Sequence, residues 1–153
     1  MSKDDLERGV AYDKFNLAHL RSSMLHHMNA KGYRGICAMN LGIPLCYMLV
    51  NTGQDHDFNG VLDMYNVNIT GKSQSTVSSL EGSPMCIAGA VYVTRYSSIY
   101  TEFMNAEGEV MEYVYMKGNL STAVQHLYAL EHGIRPCDIH SGKASTLKAM
   151  ASV

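Results

Sequence analysis

Gly118-Asn119-Leu120-Ser121-Thr122-Ala123-Val124-Gln125-His126-Leu127-Tyr128-Ala129-Leu130-Glu131-His132-Gly133 is the stretch whose reading decides the fold. Leu120, Ala123, Val124, Leu127 and Leu130 recur at three- and four-residue steps, the period of a helix with one apolar face. Gly133 is the expected C-cap, and Pro136 prevents further helix. Immediately upstream, Val110 to Met116 alternates as a strand, with Val110, Glu112, Val114 and Met116 on one side and Met111, Tyr113 and Tyr115 on the other. Gly118 breaks that strand. Before it, Asn105-Ala106-Glu107-Gly108 reads as a hairpin turn, and Val91, Val93, Ile99, Thr101 and Phe103 form two short strand runs.

Further out, a first helix carries Leu17, Leu20, Met24 and Met28 on one face, with Leu6 and Val10 one or two turns earlier, and ends at Lys31-Gly32. Gly35 to Gly42 is a small-residue turn. Pro44 to Val50 and Val61 to Ile69 read as strands, Asn51 to Asn59 as a polar loop, and Lys72 to Ser79 as a loop or an edge strand. The fold class is α+β: a helix, then strands, then a helix packed on the sheet. Residues 1–140 are expected to form a single domain, with 141–153 a tail that is either a short helix or frayed.

The chain's 153 residues are about one domain's worth. Its 12 Lys+Arg against 14 Asp+Glu leave a formal charge of −2, without the basic excess of a nucleic-acid footprint. No run reaches the ~18 apolar residues of a membrane span, and the acidic N-terminus lacks the apolar core of a signal peptide. A cytoplasmic protein is the expectation. Cys37, Cys46, Cys86 and Cys137 are widely spaced with no CxxC pair, which suits isolated thiols or isolated ligands.

Three segments carry a resemblance. Tyr33-Arg34-Gly35-Ile36-Cys37-Ala38-Met39-Asn40-Leu41-Gly42, Glu81-Gly82-Ser83-Pro84-Met85 and Gln125-His126 through Asp138 resemble the three motifs of the peptide deformylases, GxGLAAxQxG, EGCLS and QHExDH. Val93-Thr94-Arg95, Ile99, Phe103, Asn105 and Gly108 resemble the stretch that follows the family's second motif. The resemblance spans roughly residues 12 to 140. It implies a metallohydrolase fold whose members remove the formyl group from an N-terminal methionine. In such a member one Cys and two His hold the metal, and a Gln and a Glu serve catalysis.

The reactive positions differ. The metal-ligand positions are Ser83, His126 and Leu130, and the catalytic Gln and Glu positions are Asn40 and Leu127. A catalytic metal needs three protein ligands and an open position for water. Leucine supplies no lone pair, and a serine hydroxyl stays protonated near neutral pH. His132 is no substitute, because six residues leave it about 120° away around the helix. Loss of the Glu alone removes an acid–base contribution of about 10²–10⁴-fold. No catalytic residue, metal or cofactor is therefore expected. Cys86, three residues past Ser83, is the rescue ligand to watch. Asp55-His56-Asp57 and His26-His27 read as solvated polar residues.

The leading expectation is a catalytically inactive deformylase-like module that binds a peptide or protein. Deformylases hold a substrate backbone along a strand edge, as β-augmentation binders do. Gly42, Gly82, Ser83, Cys86, Gly89 and His126 are the expected binding positions. A nascent chain, the ribosome or another deformylase would be the partner, with a homo-oligomer also compatible, and with no membrane and no direct nucleic-acid contact. One alternative is a working deformylase with a rearranged zinc, iron or nickel site at Cys86 and His126. Another is a structural or assembly protein on the same fold.

Overall fold

A computed structural model of the chain describes residues 3–53, 60–82 and 89–142, with side chains from residue 17 onward. The elements are α1 (Lys3–Lys31), β1 (Gly35–Cys37), a 3-10 turn (Ala38–Leu41), β2 (Tyr47–Asn51), β3 (Val61–Lys72), β4 (Thr76–Glu81), β5 (Val91–Tyr96), β6 (Ser98–Met104), β7 (Val110–Lys117), α2 (Gly118–Glu131) and α3 (Pro136–His140). Five strands are hydrogen-bonded in the order β1-β2-β3-β6-β7, and β4 pairs with β5 in a separate two-stranded sheet. The class is α+β, as the pattern of apolar residues indicates. No helix among the described residues is long and apolar enough to cross a membrane. Contacts divide the chain into two compact units.

The first unit comprises Met1–Val67 with Phe103–Glu112. Leu20, Met24 and Met28 of α1 are buried, and their core includes Ile36, Ala38, Tyr47, Leu49, Tyr65 and Met104. Leu17 is only half-buried, and the side chains of Leu6 and Val10 lie outside the described residues. Lys31 ends α1, and Gly32 takes the left-handed conformation that stops it. The segment Gly35 to Gly42 is more than a turn. Ile36 and Cys37 pair antiparallel with Leu49 and Met48, and the 3-10 turn begins only at Ala38. Strand β2 starts at Tyr47 rather than Pro44: proline has no N–H to give a ladder, and the Leu45 and Tyr47 N–H groups donate locally to the Ile43 and Leu45 carbonyls.

In this unit Arg21 grips the Asp63 carboxylate, Nε to Oδ2 at 2.8 Å and Nη2 to Oδ1 at 3.1 Å. The hydroxyl of the fully buried Tyr47 donates to Asp63 Oδ2 at 2.6 Å. Tyr47 also stacks on Tyr65, ring centroids 4.1 Å apart. Burial and the bond to Asp63 push the Tyr47 phenol far above its ordinary range, so it stays a neutral donor.

The second unit comprises Asn68–Glu102 with Tyr113–Val153. The Ser/Thr-rich stretch is an edge strand, one of its two readings, paired from Thr76↔Tyr96 to Glu81↔Val91. Strand β7 departs from simple alternation. Tyr113 sits at φ +54° and 78% exposed, and Met116 is the residue of β7 that is fully buried. A residue in that region kinks a strand and resets which side chains face inward. Along α2, Leu120, Val124, Leu127 and Leu130 are buried as the stripe requires. Helix α2 ends at Glu131, before Gly133 at φ +75°, and Pro136 opens a further helix rather than preventing one: it occupies the first turn of α3, where its missing N–H would have no partner anyway. Residues 143–153 lie outside the described residues.

Candidate functional site

The motif-bearing helix is tied to β5 by side chains that act as a strand would. Gln125, fully buried, accepts the Tyr96 N–H on Oε1 at 2.8 Å and donates Nε2 to the Tyr96 carbonyl at 2.8 Å. Ser121 Oγ donates to the same carbonyl at 3.0 Å and lies 2.8 Å from Gln125 Nε2. One amide thus satisfies both main-chain groups of Tyr96, which would otherwise be buried and unpaired. The Gln of the Gln-His pair is a structural clamp, which fixes where the histidine one residue later is presented.

The neighbouring cluster is charged. Glu81, the last residue of β4, lies on the same sheet face as Arg95, four residue pairs along the ladder from Val77, the residue that Arg95 faces. The two long side chains together bridge that diagonal. Arg95 Nη2 donates to Glu81 Oε1 at 2.6 Å and Nε to Oε2 at 3.0 Å. Arg95 is completely buried and Glu81 is 6% exposed, so each charge depends on the other. His126 Nδ1 lies 3.5 Å from Glu81 Oε1. Burial lowers the imidazole pKa, Glu81 opposes that shift, and Arg95 adds to it. Two atoms of this cluster, His126 Nε2 and Arg95 Nη1, are buried with no hydrogen-bond partner among the described residues.

Beside His126 the helix turns apolar. Leu127 and Leu130 are 4% and 2% exposed. Leu130 is four residues on, so it stands on the same face as His126. Each buried leucine contributes about 1.5–3 kcal/mol relative to exposure, whereas an unpaired glutamate or histidine there would be penalised. Glu131 does sit at the helix end with Oε1 buried and unpartnered among the described residues, and burial pushes its carboxyl up to about 8. His132 faces back, Nδ1 2.8 Å from the Tyr128 carbonyl.

In the first unit, Asn40 closes the 3-10 turn. Its Oδ1 accepts the Cys37 N–H at 2.9 Å and the Cys37 thiol at 3.2 Å. The amide oxygen is therefore spent on local structure. Gly42 caps the turn at φ +74°, a conformation that suits glycine.

Of the remaining positions, Gly82 follows β4 and Gly89 precedes β5. Ser83, Cys86 and Asp55-His56-Asp57 lie outside the described residues. Cys37 and Cys46 are free thiols. Cys137 is disulfide-bonded, which corrects the reading of four isolated cysteines; pairing follows proximity in the fold, which spacing does not encode.

Does this donor set suit a metal? The open Nε2 of His126 does. The carbon side chains of Leu127 and Leu130 do not, and no group of three His, Cys, Asp or Glu among the described residues could hold an ion. The described residues do not fit a three-ligand metal centre. Sequence reasoning identified the separate positions Glu81, Arg95 and Gln125 but missed that the first two pair and that the third clamps a strand. The 14-residue spacing of Glu81 and Arg95 across one hairpin was the available signal.

Comparisons with known proteins agree with this architecture. The family model described as polypeptide deformylase matches residues 7–143. Among solved structures, a probable peptide deformylase from Synechococcus phage S-SSM7 is 27% identical, with 82% of this chain and 84% of that chain covered and a TM-score of 0.72. A Met-Ala-Ser-bound class I type b peptide deformylase from Acinetobacter baumannii is 20% identical, with 82% of each chain covered and a TM-score of 0.73. Peptide deformylase from Thermotoga maritima is 23% identical, with 80% of each chain covered and a TM-score of 0.70. No curated protein matches.

Proposed function

The chain belongs to the polypeptide deformylase family, and on that footing we propose that it is a non-hydrolysing member that binds an extended peptide or protein segment. The observation that carries this reading is α2: His126 survives, while Leu127 and Leu130, in the positions of the family's general base and second histidine, are buried as core. With these replacements the family's metal-bound water has neither its ligand set nor its base. Support for binding comes from β4, which has one neighbour in its sheet and so, among the described residues, an edge without strand pairing. An extended peptide could add there through main-chain hydrogen bonds. Gly82, Gly89 and His126 are the positions of this unit proposed to contact it; Ser83 and Cys86 lie outside the described residues. The Glu81–Arg95 pair keeps the end of β4 rigid. The cytoplasm is the compartment proposed.

A second reading has one observation in its favour, the unpartnered Nε2 of His126. In that reading the protein is a deformylase that binds zinc, iron or nickel; Cys86 would serve as a ligand only as a free thiol, whereas Cys137 is disulfide-bonded and the free thiols among the described residues are Cys37 and Cys46.

One experiment separates the two. The protein is titrated with formyl-Met-Ala-Ser and with Met-Ala-Ser while formate release is followed, with and without added zinc, iron(II) or nickel. The proposal expects saturable peptide binding and no formate above the no-protein rate. Formate release proportional to protein concentration would overturn it, and so would failure of either peptide to bind.

A further inference from the structure

We infer that the outer edge of β7 is a contact between two copies of this chain, which pair β7 against β7 antiparallel about a two-fold axis at Tyr115. The contact is separate from peptide binding at β4, and neither depends on the other.

Strand β7 ends the five-stranded sheet, so among the described residues its outer edge has no strand partner. The main chain fixes which groups that edge offers. The Val114 carbonyl faces β6, where it accepts the Thr101 hydroxyl at 3.2 Å. The Gly118 N–H also turns inward, to the Ser97 carbonyl at 3.1 Å. Main-chain groups alternate in direction along a strand, so those of Tyr115 and the N–H of Lys117 point away from β6. Pairing centred on Tyr115 brings outward groups onto outward groups: the Tyr115 N–H of each copy meets the Tyr115 carbonyl of the other. A slip of one residue would set outward groups against inward ones.

The side chains select a second copy as the occupant. Exposed edges are commonly blunted by prolines and charges. From the kink at Tyr113 onward, β7 has no proline and one charge, Lys117. Tyr113 is 78% exposed, Tyr100 46% and Tyr115 43%. Tyr115 leans on Tyr100, ring centroids 5.2 Å apart, and Tyr100 lies over Gly71, where a Cβ would stand 3.3 Å from its Cδ2. Rings braced in this way lose little freedom on docking. Lys117 and Tyr113 stand two residues either side of Tyr115. The two-fold therefore sets the ammonium of each copy opposite the exposed ring of the other, cation against aromatic face. An isologous contact requires such self-complementarity. All of these residues belong to the second unit.

Sedimentation equilibrium on the full chain tests this, with the parent, Tyr113→Lys, Lys117→Glu and the double variant, each checked for native circular dichroism. The altered side chains are exposed, so the fold should tolerate them. A reversible dimer is expected in the parent. Tyr113→Lys sets lysine against lysine and Lys117→Glu removes the cation, and each should weaken dimerisation about tenfold or more. The double variant places lysine opposite glutamate and should recover the dimer. Tyr115→Pro deletes an outward N–H and no bond to β6, and should abolish it. A monomer at every concentration up to about 1 mM would overturn the inference and leave the edge to a strand of another protein. A dimer indifferent to all four variants, or a double variant no better than the single ones, would overturn it too. If Tyr115→Pro does not fold, the charge variants decide. Peptide binding by the same samples reads the proposed function separately.

Discussion

Arg21 meets Asp63 in one unit, and Arg95 meets Glu81 in the other, each through Nε and Nη2 of a guanidinium. Their surroundings differ. The Arg21 side chain is 42% exposed, and Asp63 receives a third donor from Tyr47. That cluster is a completed lock between α1 and β3. The Arg95 side chain has no exposure, and its cluster leaves Arg95 Nη1 and His126 Nε2 without partners among the described residues. A pair whose only task is to hold two elements together can be satisfied completely. A pair that flanks unsatisfied buried donors and acceptors leaves polar atoms that call for a further partner.

Breaking the two pairs measures that difference. Glu81→Gln leaves Arg95 buried without its counter-charge and should lower unfolding free energy by about 3–5 kcal/mol, read from denaturant midpoints. A loss under ~1 kcal/mol would mean the pair is solvated in practice. Tyr47→Phe removes one neutral donor to a carboxylate and should cost about 1.5–3 kcal/mol. Arg21→Ala, at an exposed guanidinium, should cost no more than about 1 kcal/mol. If Arg21→Ala proved as damaging as Glu81→Gln, the contrast between a screened and a desolvated pair would fail.

The smallest effect is one of pH. Burial lowers the His126 pKa in the folded state, so the unfolded chain binds the proton first as pH falls. Stability linked to His126 is therefore present above the ordinary histidine range near 6.5 and is lost as pH drops below it toward the folded pKa. The parent should lose more stability than His126→Gln between about pH 7.5 and 5.5. Equal losses would show that the ring is not held neutral.

Much of this was legible in the residues. The α2 stripe, the hairpin at Asn105 to Gly108 and the strand that ends at Gly118 follow local periodicity and turn chemistry, which a linear reading can see. Strand β1 did not, because three residues of Gly-Ile-Cys become a strand only by pairing with β2. Helix α3 was missed because Pro136 was read as a stop and not also as a first-turn residue. In the site, the replacements at Asn40, Leu127 and Leu130 were plain. That Asn40 bonds Cys37, that Gln125 binds Tyr96 and that Glu81 faces both Arg95 and His126 were not, since each depends on contacts the chain makes only when folded.

The central claim is that α2 carries core where its family carries chemistry. Its most direct test is metal stoichiometry by elemental analysis on protein equilibrated with zinc, iron(II) or nickel and then desalted, paired with formyl-Met-peptide turnover on the same sample. The account predicts metal far below one ion per chain and no turnover. Near-stoichiometric metal, with turnover abolished in His126→Ala, would contradict it.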